Sequence, residues 1–487
     1  MSIWTPIFRM GGDSYYDSEN GGDLVTRDTG RMDEERDHRQ IHHQRVTIHV
    51  LPDDVLVEIF YFYRLRTYNH PHLWHKLVHI CRRWRYVVFS SSRRLDLQLL
   101  CRPEKPVRRS LDCWPELPLV ISRPLSRQKY RLADDEEDNI VAALERPSRI
   151  FEISLYLTDS LLGKVGTLIQ QPFPELKKID LSSNWRALPV PDNFLGGFAP
   201  RLCELTLNSI PFPGLPKFLL SANGLVRLEL RGILTGGCIS SEAMANCLSG
   251  MSKLDHLWIE FQSKTSHPRS KNQRSPSLTR AILPALTYFK FEGTSEYLED
   301  LVARIHAPLL KGLRIIFFDK LVFDILQLSQ FICLMEKVKI RDYLSFDIHI
   351  PNTGHDMDMG STDKNLILWF SLSIPFLPRD RHLSCTIRIC DQLSPLRSHL
   401  QELGLYGDKR LSLQDVPEWL DLLRLFPTVY SLTVCDYIWP HVTAVQDELN
   451  EDSAMGILPS LTELRIDSPG TLTTYPVERF ITAGRNL

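Results

Sequence analysis

The sequence predicts an α/β fold: a small all-helical unit followed by an irregular solenoid, with parallel strands on a concave face and helices on a convex one. Two observations carry the solenoid. A motif of the form L-x-x-L-x-L recurs from about residue 146 onward, and segments with a helical apolar period lie between its copies. Such a unit buries its apolar side only against its neighbours, so strands that alternate with helices stack side by side in parallel. A third observation carries the helical unit: the apolar residues of 45–95 fall at helical spacing.

Composition narrows the class. Of 487 residues, 43% are hydrophobic and 24% charged, the balance of a chain that buries a core. Lys and Arg number 57 against 59 Asp and Glu, so the net charge of −2 gives no bulk attraction to nucleic acid or to a membrane surface. The ten cysteines include no C-x-x-C pair and are too sparse for a disulfide scaffold. There is no Asn-x-Ser/Thr sequon and no apolar leader core near the start. The longest apolar stretch, Leu366 to Leu377, is shorter than a membrane span and contains Pro375. The expectation is an intracellular protein, cytoplasmic and/or nuclear, with no membrane partner.

Residues 1–44 read as a disordered acidic tail. Nine Asp and Glu face five Arg there, and the segment has too little apolar surface to offset its ordering entropy. Residues 45–95 read as two amphipathic helices. In LPDDVLVEIFYFY, the residues Leu51, Val55, Leu56, Ile59, Phe60 and Tyr63 share one helical face. Pro52 suits a first helical position, and Asp53 and Asp54 suit the positive end of the dipole. Asn69-His70-Pro71 breaks the pattern. HLWHKLVHICRRWRYVVFS then resumes it with Trp74, Leu77, Val78, Cys81, Trp84 and Val88. Residues 96–145 form a basic connector with a first strand at Leu117 to Ser122. From 81 to 131 there are 13 Lys and Arg against 4 Asp and Glu, followed by an acidic run, Asp134 to Asp138, that reads as a solvated linker.

Residues 146–487 form the array. Copies of the motif stand at 149–155, 174–181, 200–207, 223–230, 252–259, 284–291, 308–315, 334–340, 399–405, 427–434 and 459–466. Their first apolar positions are spaced by 26, 26, 23, 29, 32, 24, 25, 65, 29 and 32 residues. Leucine-rich repeats run about 20–29 residues, so the 65-residue gap holds an insertion or an unrecognised unit. Helical patterns lie at 241–250, 297–307, 324–335 and 415–426, the last with Asp415 as N-cap and Pro417 in its first turn.

No catalytic signature is present: no P-loop, G-x-G-x-x-G, G-x-S-x-G or H-E-x-x-H. His72, His75, His79 and Cys81 flank an apolar helix stripe more simply than they bind metal, and Cys385 and Cys390 read as buried strand thiols. HDMDMGSTD (355–363) lacks the ligand spacing of a calcium loop. No cofactor, metal or catalytic residue is expected. The basic connector is interrupted by acids, and nucleic-acid contact through it is the least favoured reading.

The paired helices carry the sharper signal. LPDDVLVEIF (51–60), HLWHKLVHICRRWRYVVFSS (72–91), RRLDLQLLCRPEKPVRRSLDCWPELPLVI (93–121) and the array behind them resemble the F-box-like, leucine-rich-repeat proteins of mushroom-forming fungi. The resemblance implies docking to the Skp-type adaptor of a cullin–RING (SCF-type) ubiquitin ligase. It places adaptor contacts at Leu51, Pro52, Val55, Leu56, Ile59, Phe60, Trp74, Leu77, Val78, Cys81 and Trp84. The apolar stripes by themselves fit an intramolecular helical hairpin packed on the array equally well. The resemblance further implies a non-catalytic substrate-recognition subunit whose array binds a target protein. A non-degradative scaffold, or a nucleic-acid-associated protein using the connector, is the alternative.

Period two assigns the reading face. With the leucines turned inward, Arg227, Glu229, Arg231, His256, Trp258, Glu260, Tyr288, Lys290, Arg314, Lys337, Lys339 and Arg341 are expected on the concave side. Aromatic and Arg-rich patches there suit a protein partner. The turn asparagine of a regular repeat occurs clearly once, at Asn184, so the register between 341 and 399 is left open.

Overall fold

The computed structural model describes residues 48–66, 74–122, 133–183, 189–234, 239–262, 280–318, 325–335, 344–349, 368–373, 382–393, 397–407, 416–440, 458–468 and 471–476. The chain divides into two compact units, Met1–Pro52 and Asp53–Leu487. Within the first, Ile48–Val50 forms a single 3-10 turn, closed by the Leu51 N–H donating to the Ile48 carbonyl at 3.3 Å.

The second unit is mixed α/β and built on a large sheet of parallel strands. The strands are β1 (Leu99–Cys101), β2 (Leu119–Ser122), β3 (Ile150–Leu157), β4 (Lys178–Ser183), β5 (Glu204–Asn208), β6 (Arg227–Ile233), β7 (His256–Phe261), β8 (Ala281–Ile282), β9 (Tyr288–Gly293), β10 (Ile305–His306) and β11 (Gly312–Phe317). They continue as β12 (Leu344–His349), β13 (Leu368–Ser373), β14 (Glu402–Tyr406), β15 (Ser431–Cys435), β16 (Glu463–Ser468) and β17 (Thr471–Pro476). Among the described residues, fifteen of them make one sheet, in the order β1-β2-β3-β4-β5-β6-β7-β9-β11-β13-β12-β14-β15-β16-β17, and β8 pairs with β10 apart from it. Among the described residues every pairing is parallel except β16 with β17.

The motif copies become strands, apart from the copy at 334–340, which lies mostly outside the described residues. The 65-residue gap holds two strands, β12 and β13, and they enter the sheet in reversed order. β13 pairs with β11, and β12 joins on its far side, between β13 and β14.

The strands meet in register, so their inward residues line up as two continuous apolar rows. One runs Ile153, Ile179, Leu205, Leu228, Leu257, Phe289, Leu313, Phe370, Phe346, Leu403, Leu432, Leu464. The other runs Leu155, Leu181, Leu207, Leu230, Ile259, Phe291, Ile315, Leu372, Ile348, Leu405, Val434, Ile466. Helices of the array pack on these rows, and twelve helices are described in all. They are α1 (Asp53–Arg66), α2 (Trp74–Val78), α3 (Arg82–Ser90), α4 (Val107–Cys113), α5 (Asp134–Leu144), α6 (Asp159–Val165), α7 (Leu215–Ser221), α8 (Ser241–Leu248), α9 (Ser295–Val302), α10 (Leu326–Cys333), α11 (His382–Gln392) and α12 (Val416–Arg424). Tyr297 of α9 packs between Phe261 and Phe291, with ring centroids 4.8 and 6.0 Å away. Leu328 and Ile332 of α10 and Ile389 of α11 meet Leu313, Ile315, Phe346 and Phe370 of the sheet.

Three local expectations change. The segment 72–91 was expected as one helix; it is two, because Cys81 is extended (φ −156°) and its sulfur accepts from the Trp84 N–H at 3.5 Å, capping α3. The run Asp134 to Asp138 is not a linker but the first turn of α5, where acids meet the positive end of the helix dipole. Glu137 in it is buried between the Ser160 hydroxyl at 2.9 Å and the Lys164 ammonium at 3.0 Å. Cys385 and Cys390 are buried, but on helix α11. Asp415, Asn184 and the loop 355–363 lie outside the described residues.

The ladder is interrupted at the end of β6. Register shifts between Leu230 and Ile233, and Gly232 adopts φ +58° against Ser209, itself at φ +56°. The Ser209 N–H donates to the Arg231 carbonyl at 2.8 Å, and a Cβ on Gly232 would stand 2.5 Å from the Ser209 hydroxyl oxygen. Gly232→Ala is therefore expected to cost about 1–2 kcal/mol in urea denaturation. Ser209→Gly in that background recovers part of the loss, because it removes both the colliding oxygen and a second left-handed side chain.

Candidate functional site

The polar face of the sheet inherits its order from the apolar one. Residues between the two apolar rows and beside them also stack in register. A first row reads Glu152, Lys178, Glu204, Arg227, His256, Tyr288, Gly312 and, from β12 onward, Ser345, Glu402, Ser431, Glu463. A second reads Ser154, Asp180, Thr206, Glu229, Trp258, Lys290, Arg314, Ser371, Asp347, Gly404, Thr433, Arg465.

The expected reading-face residues converge at β6, β7 and β9. Glu229, its side chain 7% exposed, accepts from Arg227 at 3.2 Å and from the Arg231 guanidinium. Arg231 shares the face of Glu229, next to the irregularity at Gly232, and reaches diagonally to the neighbouring strand. Its guanidinium carbon lies 3.7 Å from the Trp258 ring centroid, and the Lys290 ammonium lies 3.7 Å from the same centroid. Two cations that close occupy opposite faces of the indole, each drawn by its electron-rich face. The His256 and Tyr288 rings stack alongside at 4.5 Å and 12°. Glu229 and Lys290, expected on a solvated surface, are buried instead, because their neighbours fold over them.

The network leaves polar atoms over. Arg231 Nε, His256 Nε2 and Trp258 Nε1 are buried with no hydrogen-bond partner. His256 Nε2 stands 3.4 Å from Glu229 Oε1, too far for a strong hydrogen bond. Burial, then Arg227, outweigh the opposing pull of Glu229 and Asp255 and push the His256 pKa down to about 4. The imidazole is neutral at pH 7, and the proximity to Glu229 is not an ion pair. Asp180, on the same face, is raised by burial against the pull of Arg231 and Lys178.

Farther along, Arg465 bridges Glu402 at 3.3 Å and Glu463 at 2.7 Å. Gly404 has no Cβ because the Asp347 carboxylate lies against that position. Glu260 stands opposite Glu292, and Arg314 follows Lys290 in its row. Lys337, Lys339 and Arg341 lie outside the described residues.

The helical segment divides its expected contact residues. Leu56, Phe60, Trp74, Leu77, Val78 and Trp84 are buried within the chain itself. Phe60 packs on Trp84 at 4.7 Å, and Trp74 packs on Trp114 at 5.4 Å and donates from its indole N–H to the Gln98 carbonyl at 3.0 Å. His75 stacks on Trp114 at 4.9 Å. Leu51 and Cys81 are half-buried, and Pro52, Val55 and Ile59 are exposed. Beside the last two, α1 also exposes Tyr61, Phe62 and Leu65. Val55, Ile59 and Phe62 are at i, i+4 and i+7, a single stripe on the side of α1 opposite its buried residues. The connector uses part of its positive charge internally, where Arg108 pairs with Glu145 at 3.2 Å, and its carbonyls of Leu117 and Pro115 accept from Arg149 of the array.

No family model matches this chain. A search of curated proteins likewise returns no match. Among the described residues, no group of three or more His, Cys, Asp or Glu is arranged to hold a metal ion, and no helix is long and apolar enough to cross a membrane.

The sequence pointed to the polar face and to Val55 and Ile59 on the exposed side of α1, but not to Tyr61, Phe62 and Leu65 beside them. Phe62 and Leu65 were legible as apolar residues off the main stripe, a signal that a second helix face is available. For the face itself, His256 gives a pH test. Its pKa is depressed in the folded state, so its contribution to stability is full above about pH 6.5 and is lost as pH falls toward 4. The wild type is expected to lose roughly 3 kcal/mol of stability over that window beyond what His256→Gln loses, as read from denaturation midpoints at stepped pH.

Proposed function

We propose that the chain is a non-catalytic substrate-recognition subunit of an SCF-type ubiquitin ligase. Its helical segment holds a Skp-type adaptor, and the polar face of its sheet holds a target protein. The observation that carries the first half is the stripe Val55, Ile59 and Phe62, exposed by 39%, 39% and 62% on a helix whose other side is buried. The apolar surface these three side chains keep in water is surface a partner would cover, worth about 0.6–2 kcal/mol each when full burial is scaled by their exposed fractions. The resemblance of residues 51–60 and 72–91 to an F-box names the class of partner. Leu56, Phe60, Trp74 and Trp84 then support the docking helix from beneath, and the contact itself falls to Val55, Ile59 and Phe62.

In this role the chain needs no nucleophile or general base. Holding a target beside a ligase-bound ubiquitin-conjugating enzyme raises the effective concentration of a target lysine, a purely positional contribution. The polar face supports the second half with an aromatic held between cations, the residue types most often dominant at protein interfaces.

Co-purification with a Skp-type adaptor tests the reading. Wild type is expected to retain the adaptor, and Val55→Asp with Ile59→Asp is expected to weaken retention at least about tenfold while the circular dichroism spectrum is unchanged. Absence of binding by the wild type, or equal binding by the double variant, overturns it. Reconstituted ubiquitination of captured proteins separates a ligase subunit from a scaffold, which captures without transfer.

A further inference from the structure

We infer that the turn at 91–96 is a charge clamp that holds the docking helix α1 at one angle to the sheet, with Glu58 and Arg64 as its positioning residues. This rests on the reading of α1 as the adaptor-binding element and of the sheet as the target-binding one, and it names what fixes the geometry between them.

The link from helix to sheet is short. α3 ends at Ser90, residues 91–96 turn, and β1 begins at Leu99. Within the turn the N–H groups of Leu95, Asp96 and Leu97 donate to the carbonyls of Ser91, Arg93 and Ser92 at 2.9, 3.1 and 2.9 Å. Asp96 adopts φ +46°, a left-handed conformation that aspartate tolerates better than most side chains. Leu95, Leu97 and Leu99 are buried. The turn is therefore fixed to the start of the sheet, and a helix that grips it is oriented with it.

α1 grips it twice, with opposite polarity. Near its C-terminal end the Arg64 guanidinium donates to the Asp96 carboxylate at 2.6 Å and to the Leu95 carbonyl. Nearer its start the Glu58 carboxylate accepts from Arg94. The helix thus gives a cation to the acid of the turn and an acid to its cation. The two grips are six residues apart on α1, about 9 Å along its axis, so they define a direction and not a single point of contact. A third pair, Asp53 with Arg83 of α3 at 2.6 Å, carries the line to the first residue of the helix.

The alternation of sign selects one placement. A slide of α1 by one turn sets Phe60 against Asp96 in one direction and Phe62 against Arg94 in the other, so each slide strands a charge. Exposed pairs add little to overall stability. With both signs on one helix they discriminate between placements whose packing energies are close. The stripe Val55, Ile59 and Phe62 stays on the exposed side of α1. A bound adaptor then stands at a set angle to a target on the polar face, as transfer to a target lysine by positioning alone requires.

The test uses the full chain with a spin label on a noncanonical amino acid at Asp54 of α1 and a second at Gln171 of the array, both exposed positions. Pulsed electron paramagnetic resonance reads the distance distribution. Wild type is expected to give one narrow peak. Glu58→Arg and Arg94→Glu, each of which sets like charges together, are expected to raise the share outside that peak about fivefold. The melting temperature is expected to move by less than about 3 °C. Combining the two substitutions, which restores an ion pair of reversed polarity, is expected to restore the peak. Arg64→Met is expected to broaden the distribution from the other grip, and Asp96→Asn, which keeps an acceptor and the left-handed turn, to leave it narrow. A broad distribution in wild type, single variants as narrow as wild type, or a charge swap as broad as its parents overturns the inference. Retention of a Skp-type adaptor, measured on the same proteins, separates the two readings. A clamp that behaves as expected in a chain that holds no adaptor removes the proposed ligase role alone, and an adaptor held by variants whose distances do not change removes this inference alone.

Discussion

Each strand from β3 to β16 meets its neighbour with almost no stagger, and the rest of the molecule follows from that constraint. Side chains alternate faces with a period of two, so a shift of one residue would exchange the apolar and polar rows. Two unbroken apolar rows, from Ile153 to Leu464 and from Leu155 to Ile466, hold the register. The helices gain a continuous surface to cover, and the opposite face gains aligned columns of charge. Glu229 lies beside Trp258, and Trp258 beside Lys290, only because Leu228, Leu257 and Phe289 are aligned beneath them.

One interruption of this rule gives the polar face its most distinctive chemistry. At Arg231 and Gly232 the ladder slips, and the Arg231 side chain there lies over Trp258 of the next strand. The burial of Glu229 and Lys290, the depressed basicity of His256 and the unpaired donors all gather around that slip. A regular sheet would spread the same residues over a solvated surface, where each ion pair contributes little.

These features differ in how far they can be read from the amino-acid order. Strands with the full L-x-x-L-x-L motif are legible because the motif carries both the turn into the strand and its inward residues. β12 and β13 have the inward residues, Phe346 with Ile348 and Phe370 with Leu372, but lack the preceding turn signal, so the gap between motifs conceals them. Their exchange of places is invisible, since two strands with the same inward pattern fit either seat. In the helical segment, apolar periodicity continues across the break at Cys81, and a backbone cap rather than a change of residue type ends the helix. Periodicity also places Leu56, Phe60 and Trp84 on one side without telling whether that side meets the chain or a partner. Here they meet the chain, and Val55, Ile59 and Phe62 are left outside.

The exchanged strands bear on how the protein is made. A simple repeat array can grow in the order of synthesis, each new unit settling on the one before it. Here β12 leaves the ribosome with neither native neighbour in place, because β13 and β14 have not yet been translated, while the edge of β11 that belongs to β13 stands open. The growing sheet stops at β11 with Phe346 and Ile348 waiting in water, and extends again only when β13 docks and provides an edge for β12. The middle of the array is thus the stage at which a nascent chain is most exposed to chaperones and to mispairing, and where synthesis speed bears most directly on yield.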